Sequence, residues 1–255
     1  MPADAPGGVE TGGEPGETRD RLLDGRVLLR QPVRGHRAGT DAVLLAAGVA
    51  LAPGERLVDA GAATGAVGLM VAARVPGARI VLIERDPALA ALGARNLVEN
   101  DVGMRGLSVC ADLLAGPVLA AGSVDAVATN PPYFEPGEAP LSPDAGRAAA
   151  HALSAGSLQT WIAACARMLR PRGRLALVQR ADKLAACLAA LDGRFGAIRI
   201  VPVHPRADKE ATRVLIRAVK GARTPLVIAP PLVLHGPDGR FTQRAERAHR
   251  EGVLD

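Results

Sequence analysis

Arg56-Leu57-Val58-Asp59-Ala60-Gly61-Ala62-Ala63-Thr64-Gly65-Ala66-Val67-Gly68-Leu69-Met70 is the stretch whose reading decides the fold. An apolar run from Arg56 to Ala60 gives way to small residues and then to helical spacing from Ala66 to Arg74, so strand, tight turn and helix follow one another. The alternation continues downstream. Strands are expected over Arg79–Ile83, Leu107–Cys110, Val124–Thr129 and Arg174–Val178, with helices over Pro87–Asn100, Leu113–Ala120, Leu158–Leu169 and Lys183–Leu191. Ala197–Val203 and Arg213–Val219 leave no room for a helix between them and should pair as a hairpin. The expected fold is α/β: a doubly wound, mostly parallel seven-stranded sheet with an antiparallel hairpin at one edge.

The chain has 255 residues, of which 48% are hydrophobic, enough for a sizeable core. Residues 1–18 are rich in Gly, Pro and acids and are expected to form a disordered tail. Residues 19–255 then form one domain, with an N-terminal extension at 19–50, a core at 51–220 and a C-terminal extension at 221–255. No apolar run approaches the length of about 18 residues that a membrane span needs, and the N-terminus lacks the pattern of a secretory signal, so a cytoplasmic protein is expected. Cys110, Cys165 and Cys187 lie in apolar stretches at spacings that fit no metal site, and they are expected to be reduced core residues with no metal bound.

A formal charge of +5 fits a polyanionic partner without demanding one. Two basic stretches, Arg21–Thr40 and Arg194–Arg223, are candidate RNA-facing surfaces. Monomer and homodimer remain equally open.

The turn at Gly61 lies where a doubly wound sheet binds a nucleotide. A dinucleotide fingerprint would need glycine where Ala63 and Ala66 stand, and a phosphate-binding loop would need a Lys and a Ser or Thr, so neither cofactor type fits. Glu84 closes the second strand, where a carboxylate either reaches both ribose hydroxyls or ends in solvent. Asp112 follows the third strand and could equally contact an adenine or cap a helix at Leu113.

Asn130-Pro131-Pro132-Tyr133 directly follows the Val124–Thr129 strand. The prolines fix the backbone and remove two N–H donors, leaving carbonyl acceptors. An exocyclic amino nitrogen is a poor nucleophile, but the Asn130 side-chain oxygen and the Pro131 carbonyl can each accept one of its N–H groups and aim its lone pair. Tyr133 offers a face for stacking the acceptor ring.

The spacing of Asp59, Gly61 and Gly65 resembles the cofactor loop of the class I S-adenosylmethionine-dependent methyltransferases, whose fold is Rossmann-like. The resemblance implies S-adenosyl-L-methionine as cofactor. It also implies that Asp59 orients the methionine end, that Gly61 and Gly65 bring backbone to the ligand, and that Glu84 holds the ribose while Asp112 meets the adenine amino group. Ala63 departs from the family's usual glycine. Asn130, Pro131, Pro132 and Tyr133 resemble the motif of amino-group methyltransferases, with Asn130 also against the cofactor.

Gly35–Leu45, Arg147, His151, Lys209–Lys220, Phe241 and Thr242 further resemble the bacterial tRNA(Val) adenine-N6 methyltransferase family. That likeness places Thr40 and Asp41 near the cofactor and Arg37 there or at the RNA, although Thr40 and Asp41 could simply cap a helix. It implies tRNA processing through methylation of adenine N6. The alternatives are a protein glutamine N5-methyltransferase acting on a release factor, or an rRNA guanine or adenine amino methyltransferase. The glutamine family carries an N-terminal helical domain, and too few residues precede Asp59 here to form one.

Overall fold

The computed structural model describes residues 16–35, 37–131 and 155–254. The first element is a separate two-stranded sheet, β1 (Glu17–Leu22) and β2 (Val27–Pro32), followed by α1 (Thr40–Gly48). Then come β3 (Arg56–Ala60), α2 (Ala66–Arg74), β4 (Arg79–Glu84), α3 (Pro87–Glu99), β5 (Gly106–Cys110) and β6 (Val124–Thr129). The remainder is α4 (Ala155–Met168), β7 (Leu169–Arg180), α5 (Leu184–Leu191), β8 (Phe195–His204), β9 (Arg213–Lys220), β10 (Val227–Ile228), β11 (Leu232–Val233) and α6 (Gln243–Glu251).

The main sheet runs β10-β8-β9-β7-β6-β3-β4-β5, with β11 also pairing with β8. Pairing is parallel except for β9, which runs against β7 and β8. The seven expected strands are all present, and the β8–β9 hairpin forms. It does not close the sheet, because β10 and β11 add two short parallel rungs outside β8. The chain moves outward from β3 through β4 to β5 and then returns to the other side of β3 as β6, so a crevice opens at the carboxyl ends of β3 and β6.

Successive β3 side chains face opposite cores. Leu57 joins α1, α2 and the β1–β2 hairpin, while Val58 and Ala60 join α4 and α5. Leu23 and Leu29 of the N-terminal extension and Ala248 and Leu254 of the C-terminal one are buried in the same cluster as α2, and Arg26 donates to the Arg250 carbonyl at 2.6 Å.

The segment Leu113–Ala120 is not a helix. Asp112 accepts from the Leu114 N–H at 2.8 Å and starts a single turn, which Gly116, at φ 151°, and Pro117 then end. The expected tail also ends too late, because Glu17 and Thr18 already belong to β1. Glu17 forms ion pairs with Arg95 and, at 3.7 Å, with Arg30, and Thr18 Oγ1 accepts from Arg37 at 2.6 Å. Removing residues 2–15 should therefore leave the melting temperature unchanged, whereas removing residues 2–22, which deletes β1, should lower it by several degrees; equal melting curves for the two truncations would contradict this pairing.

Cys165 and Cys187 are buried, and burial pushes each thiol up to about 12. Cys110 is not a core residue. It is exposed at the end of β5, the edge strand.

Candidate active site

Asp59 points to the α2 side of the sheet and is only 2% exposed. Its Oδ2 accepts from the Gly68 N–H at 3.0 Å. Gly68 is the third residue of α2, and the residue capping that helix, Gly65, has no side chain to do so. Asp59 thus caps α2 from the neighbouring strand, and it holds the loop from beneath.

Desolvation pushes the Asp59 carboxyl up to about 7; the Gly68 N–H opposes the shift and the Glu84 charge adds to it. The folded protein therefore binds this proton more tightly than the unfolded chain, where the ordinary value is 3.8. The resulting stability is fully present below about pH 4 and is lost as pH rises through 7. Asp59→Asn cannot titrate. Its stability relative to wild type should rise between pH 4 and 7 and then level off, as read from ligand-free denaturation at each pH; parallel curves would show that Asp59 stays ionised.

Glu84 reaches across to the same loop. Its Oε2 accepts from the Ala63 N–H at 2.8 Å and its Oε1 from the Asp86 N–H at 3.0 Å. Gly61, Ala63 and Gly65 all have positive φ, at 74°, 47° and 89°. A Cβ at Gly65 would stand 2.6 Å from Leu82 Cδ1, and one at Gly61 would stand 3.1 Å from the Trp161 ring, so neither tolerates a larger residue. Ala63 tolerates its left-handed backbone at a cost of about 1 kcal/mol. That is the strain a glycine there would relieve.

On the far side of the crevice Asn130 follows β6. Its Oδ1 is buried and has no hydrogen-bond partner among the described residues. Leaving such an acceptor unpaired costs about 1–3 kcal/mol, so the position favours an incoming N–H donor. Pro131 is described and buried; Pro132, Tyr133, Arg147 and His151 lie outside the described residues.

The other expected site residues are more dispersed. Asp112 is exposed and engaged with Leu114. Thr40 and Asp41 open α1, whose capping residue Gly39 makes no side-chain cap, and Asp41 accepts from Arg213 Nε at 3.0 Å. The Arg37 guanidinium donates to Thr18, the Pro32 carbonyl and Asp20, at 2.6, 2.9 and 2.6 Å.

The Arg194–Arg223 stretch divides along the hairpin. Arg206 and Lys209 are exposed in the β8–β9 turn, toward the crevice end of the sheet, while Arg194, Lys220 and Arg223 lie at the opposite end.

Three polar residues at the site escaped the reading of the sequence: Asn96, Thr129 and Trp161. Asn96 is fully buried on α3, where its Nδ2 donates to the Thr64 carbonyl in the loop at 2.9 Å. Thr129 and Trp161 pair beneath Gly61.

Residues 38–206 match the model of the methyltransferase small domain. The chain belongs to that family. It is 32% identical to the tRNA1(Val) (adenine(37)-N6)-methyltransferase of Aeromonas hydrophila, over 82% of this chain and 86% of that protein. Among solved structures, a predicted O-methyltransferase from Agrobacterium tumefaciens superposes with a TM-score of 0.71 at 29% identity, over 84% of this chain and 98% of that one. Geranyl diphosphate C-methyltransferase from Streptomyces coelicolor, in complex with S-adenosyl-L-homocysteine, shares the fold at a TM-score of 0.50 and 18% identity, over 70% and 79% of the two chains. This member of the methyltransferase small domain family is accordingly a methyltransferase. No described helix is long and apolar enough to cross a membrane.

Proposed function

We propose that this methyltransferase transfers a methyl group to N6 of an adenine in tRNA. The observation that carries the reading is Oδ1 of Asn130, buried and without a hydrogen-bond partner among the described residues. An amide oxygen accepts a hydrogen bond but does not take up a proton near neutral pH. It therefore suits an amino nitrogen, whose lone pair is available without prior deprotonation, better than a hydroxyl, which needs a base. Relatives named for adenine-N6 methylation of tRNA1(Val) support the same acceptor. The name of the Agrobacterium neighbour gives oxygen as its acceptor, and the Asn130 chemistry favours nitrogen here.

In this reading the loop Gly61–Gly65 approaches the cofactor through its backbone, and Glu84 exchanges its bond to the Ala63 N–H for ribose hydroxyls. Bound S-adenosylmethionine supplies an electrophilic methyl group on a sulfonium. Asn130 Oδ1 and the Pro131 carbonyl each accept an N–H of the adenine amino group and point its lone pair along the line of transfer. Both acceptors strengthen as positive charge develops on the nitrogen, which is where they lower the barrier. The extra amino proton passes to water after transfer. Tyr133 stacks on the adenine ring, and Arg206 and Lys209 lie on the side that would face tRNA phosphates. Adenine 37 of a valine tRNA is the proposed target, and the proposed setting is the cytoplasm.

The test is incubation with methyl-labelled cofactor and either bulk tRNA or a release factor, followed by nucleoside analysis. Label in N6-methyladenosine is the expected outcome. Label in a protein glutamine, or in a guanosine, would replace this reading.

A further inference from the structure

Beneath the crevice, Trp161 of α4 donates from Nε1 to Thr129 Oγ1 at 2.8 Å, and Thr129 Oγ1 donates to the Ala60 carbonyl at 2.9 Å. Both side chains lie in the core, with Thr129 fully buried and Trp161 8% exposed. The positions of the two ends of this relay matter. Ala60 is the last residue of β3 and leads directly into Gly61; Thr129 is the last residue of β6 and leads directly into Asn130. The same indole supports Gly61, since a Cβ there would meet its ring carbons at 3.1 and 3.2 Å.

β3 and β6 pair in parallel up to the register Ala60–Thr129, where the regular ladder ends. Past that rung no strand pairing among the described residues holds the cofactor loop and the acceptor loop at a fixed separation. We propose that Thr129 and Trp161 are positioning residues that fix Asn130 relative to the cofactor loop, so that the acceptor nitrogen and the methyl group meet in line. Thr129 can serve both ends because one hydroxyl accepts and donates at once, and its β-branched side chain has few rotamers to choose from. Trp161 removes the remaining freedom by occupying the hydroxyl's acceptor side. Because the network is buried, each bond is shielded from competition with water.

The inference rests on the methyl-transfer reading and adds to it a residue pair that touches neither substrate nor cofactor. A misplacement of reacting groups by about 1 Å can lower a rate by up to about a hundredfold, so a relay that sets this distance should act on the chemical step. Thr129→Val keeps the shape and removes both hydrogen bonds. It should lower the single-turnover rate about tenfold with tRNA, with KM for tRNA near wild type. Thr129→Ser keeps the hydroxyl and should recover most of that rate.

Trp161 is the sole tryptophan of the chain, so its emission reports directly on the loop. Titration with S-adenosylhomocysteine should change that emission in wild type and in Thr129→Val, with dissociation constants within about twofold. If Thr129→Val does not fold, Trp161→Phe provides the second test: it removes the Nε1 donor together with the indole carbons under Gly61, so its single-turnover rate is read at saturating cofactor, and calorimetry replaces fluorescence. An unchanged rate in these variants overturns the proposal, as does a loss in Thr129→Ser equal to that in Thr129→Val, or a rate loss matched by an equal loss of affinity. Absence of tRNA methylation by the wild-type enzyme would instead defeat the acceptor assignment, while the emission change on binding S-adenosylhomocysteine would still be seen.

Discussion

Asn130→Ala should lower kcat for tRNA methylation by about a hundredfold or more and leave cofactor affinity near wild type. Removing one preorganised acceptor from a developing charge typically has an effect of that order. The structure sharpens the expectation, because Oδ1 is buried and makes no bond among the described residues. No described residue loses a partner when this oxygen is removed, and the melting temperature should hold or rise slightly. A simple structural residue would show the reverse pattern, a lower melting temperature and an intact kcat. Single-turnover kinetics with saturating cofactor, alongside a thermal melt, separates the two. A variant that methylates adenine at the wild-type rate would remove the basis for assigning an amino acceptor.

The position of Asn130 at the end of a strand was legible in the sequence because its evidence is local. β3, α2 and β6 form over the expected residues, since each is a short apolar or helical run bounded by small or polar residues. The β1–β2 hairpin was missed although it carries a turn signal. Asp24-Gly25 lies between Leu22 and Val27, and Leu23, Asp24 and Gly25 have φ of 49°, 55° and 82°. Charged residues in β1 hide the apolar alternation, which survives only in β2 as buried Val27 and Leu29. The supposed helix after Asp112 failed for the opposite reason: its leucines and valine have plausible helical spacing, but Gly116 and Pro117 stop the first turn.

What no local pattern could show is the set of polar side chains that tie remote segments to the loop. Asp59, Asn96 and Thr129 are buried polar residues gathered around the crevice. Each is common in sequence and takes its meaning from a partner distant along the chain. Asp59 was read as a ligand contact, and what the structure shows is that it caps α2.

Asn96→Leu should have the largest effect on stability, and its consequences should reach the cofactor. The Asn96 amide does the work of a strand for β2: Oδ1 accepts from the Arg30 N–H at 2.9 Å, and Nδ2 donates to the Arg30 carbonyl at 3.0 Å and to the Thr64 carbonyl at 2.9 Å. Leucine matches the size and offers none of these bonds. Three backbone groups lose their partner, at about 1–3 kcal/mol for each that water cannot reach, so a loss of about 3 kcal/mol or more is expected. In a domain of this length each kcal/mol shifts the melting temperature by about 2–4 °C, which predicts a fall of roughly 6–12 °C. Asn100 provides the control, because it bonds the Leu28 N–H and carbonyl at 2.8 and 2.7 Å without touching the loop. Asn100→Ala should lower the melting temperature while cofactor affinity holds, whereas Asn96→Leu should lower both, since Thr64 loses its anchor only in the latter. Wild-type cofactor affinity in a folded Asn96→Leu protein would show that the hairpin and the cofactor loop are independent, and that Asn96 serves packing alone.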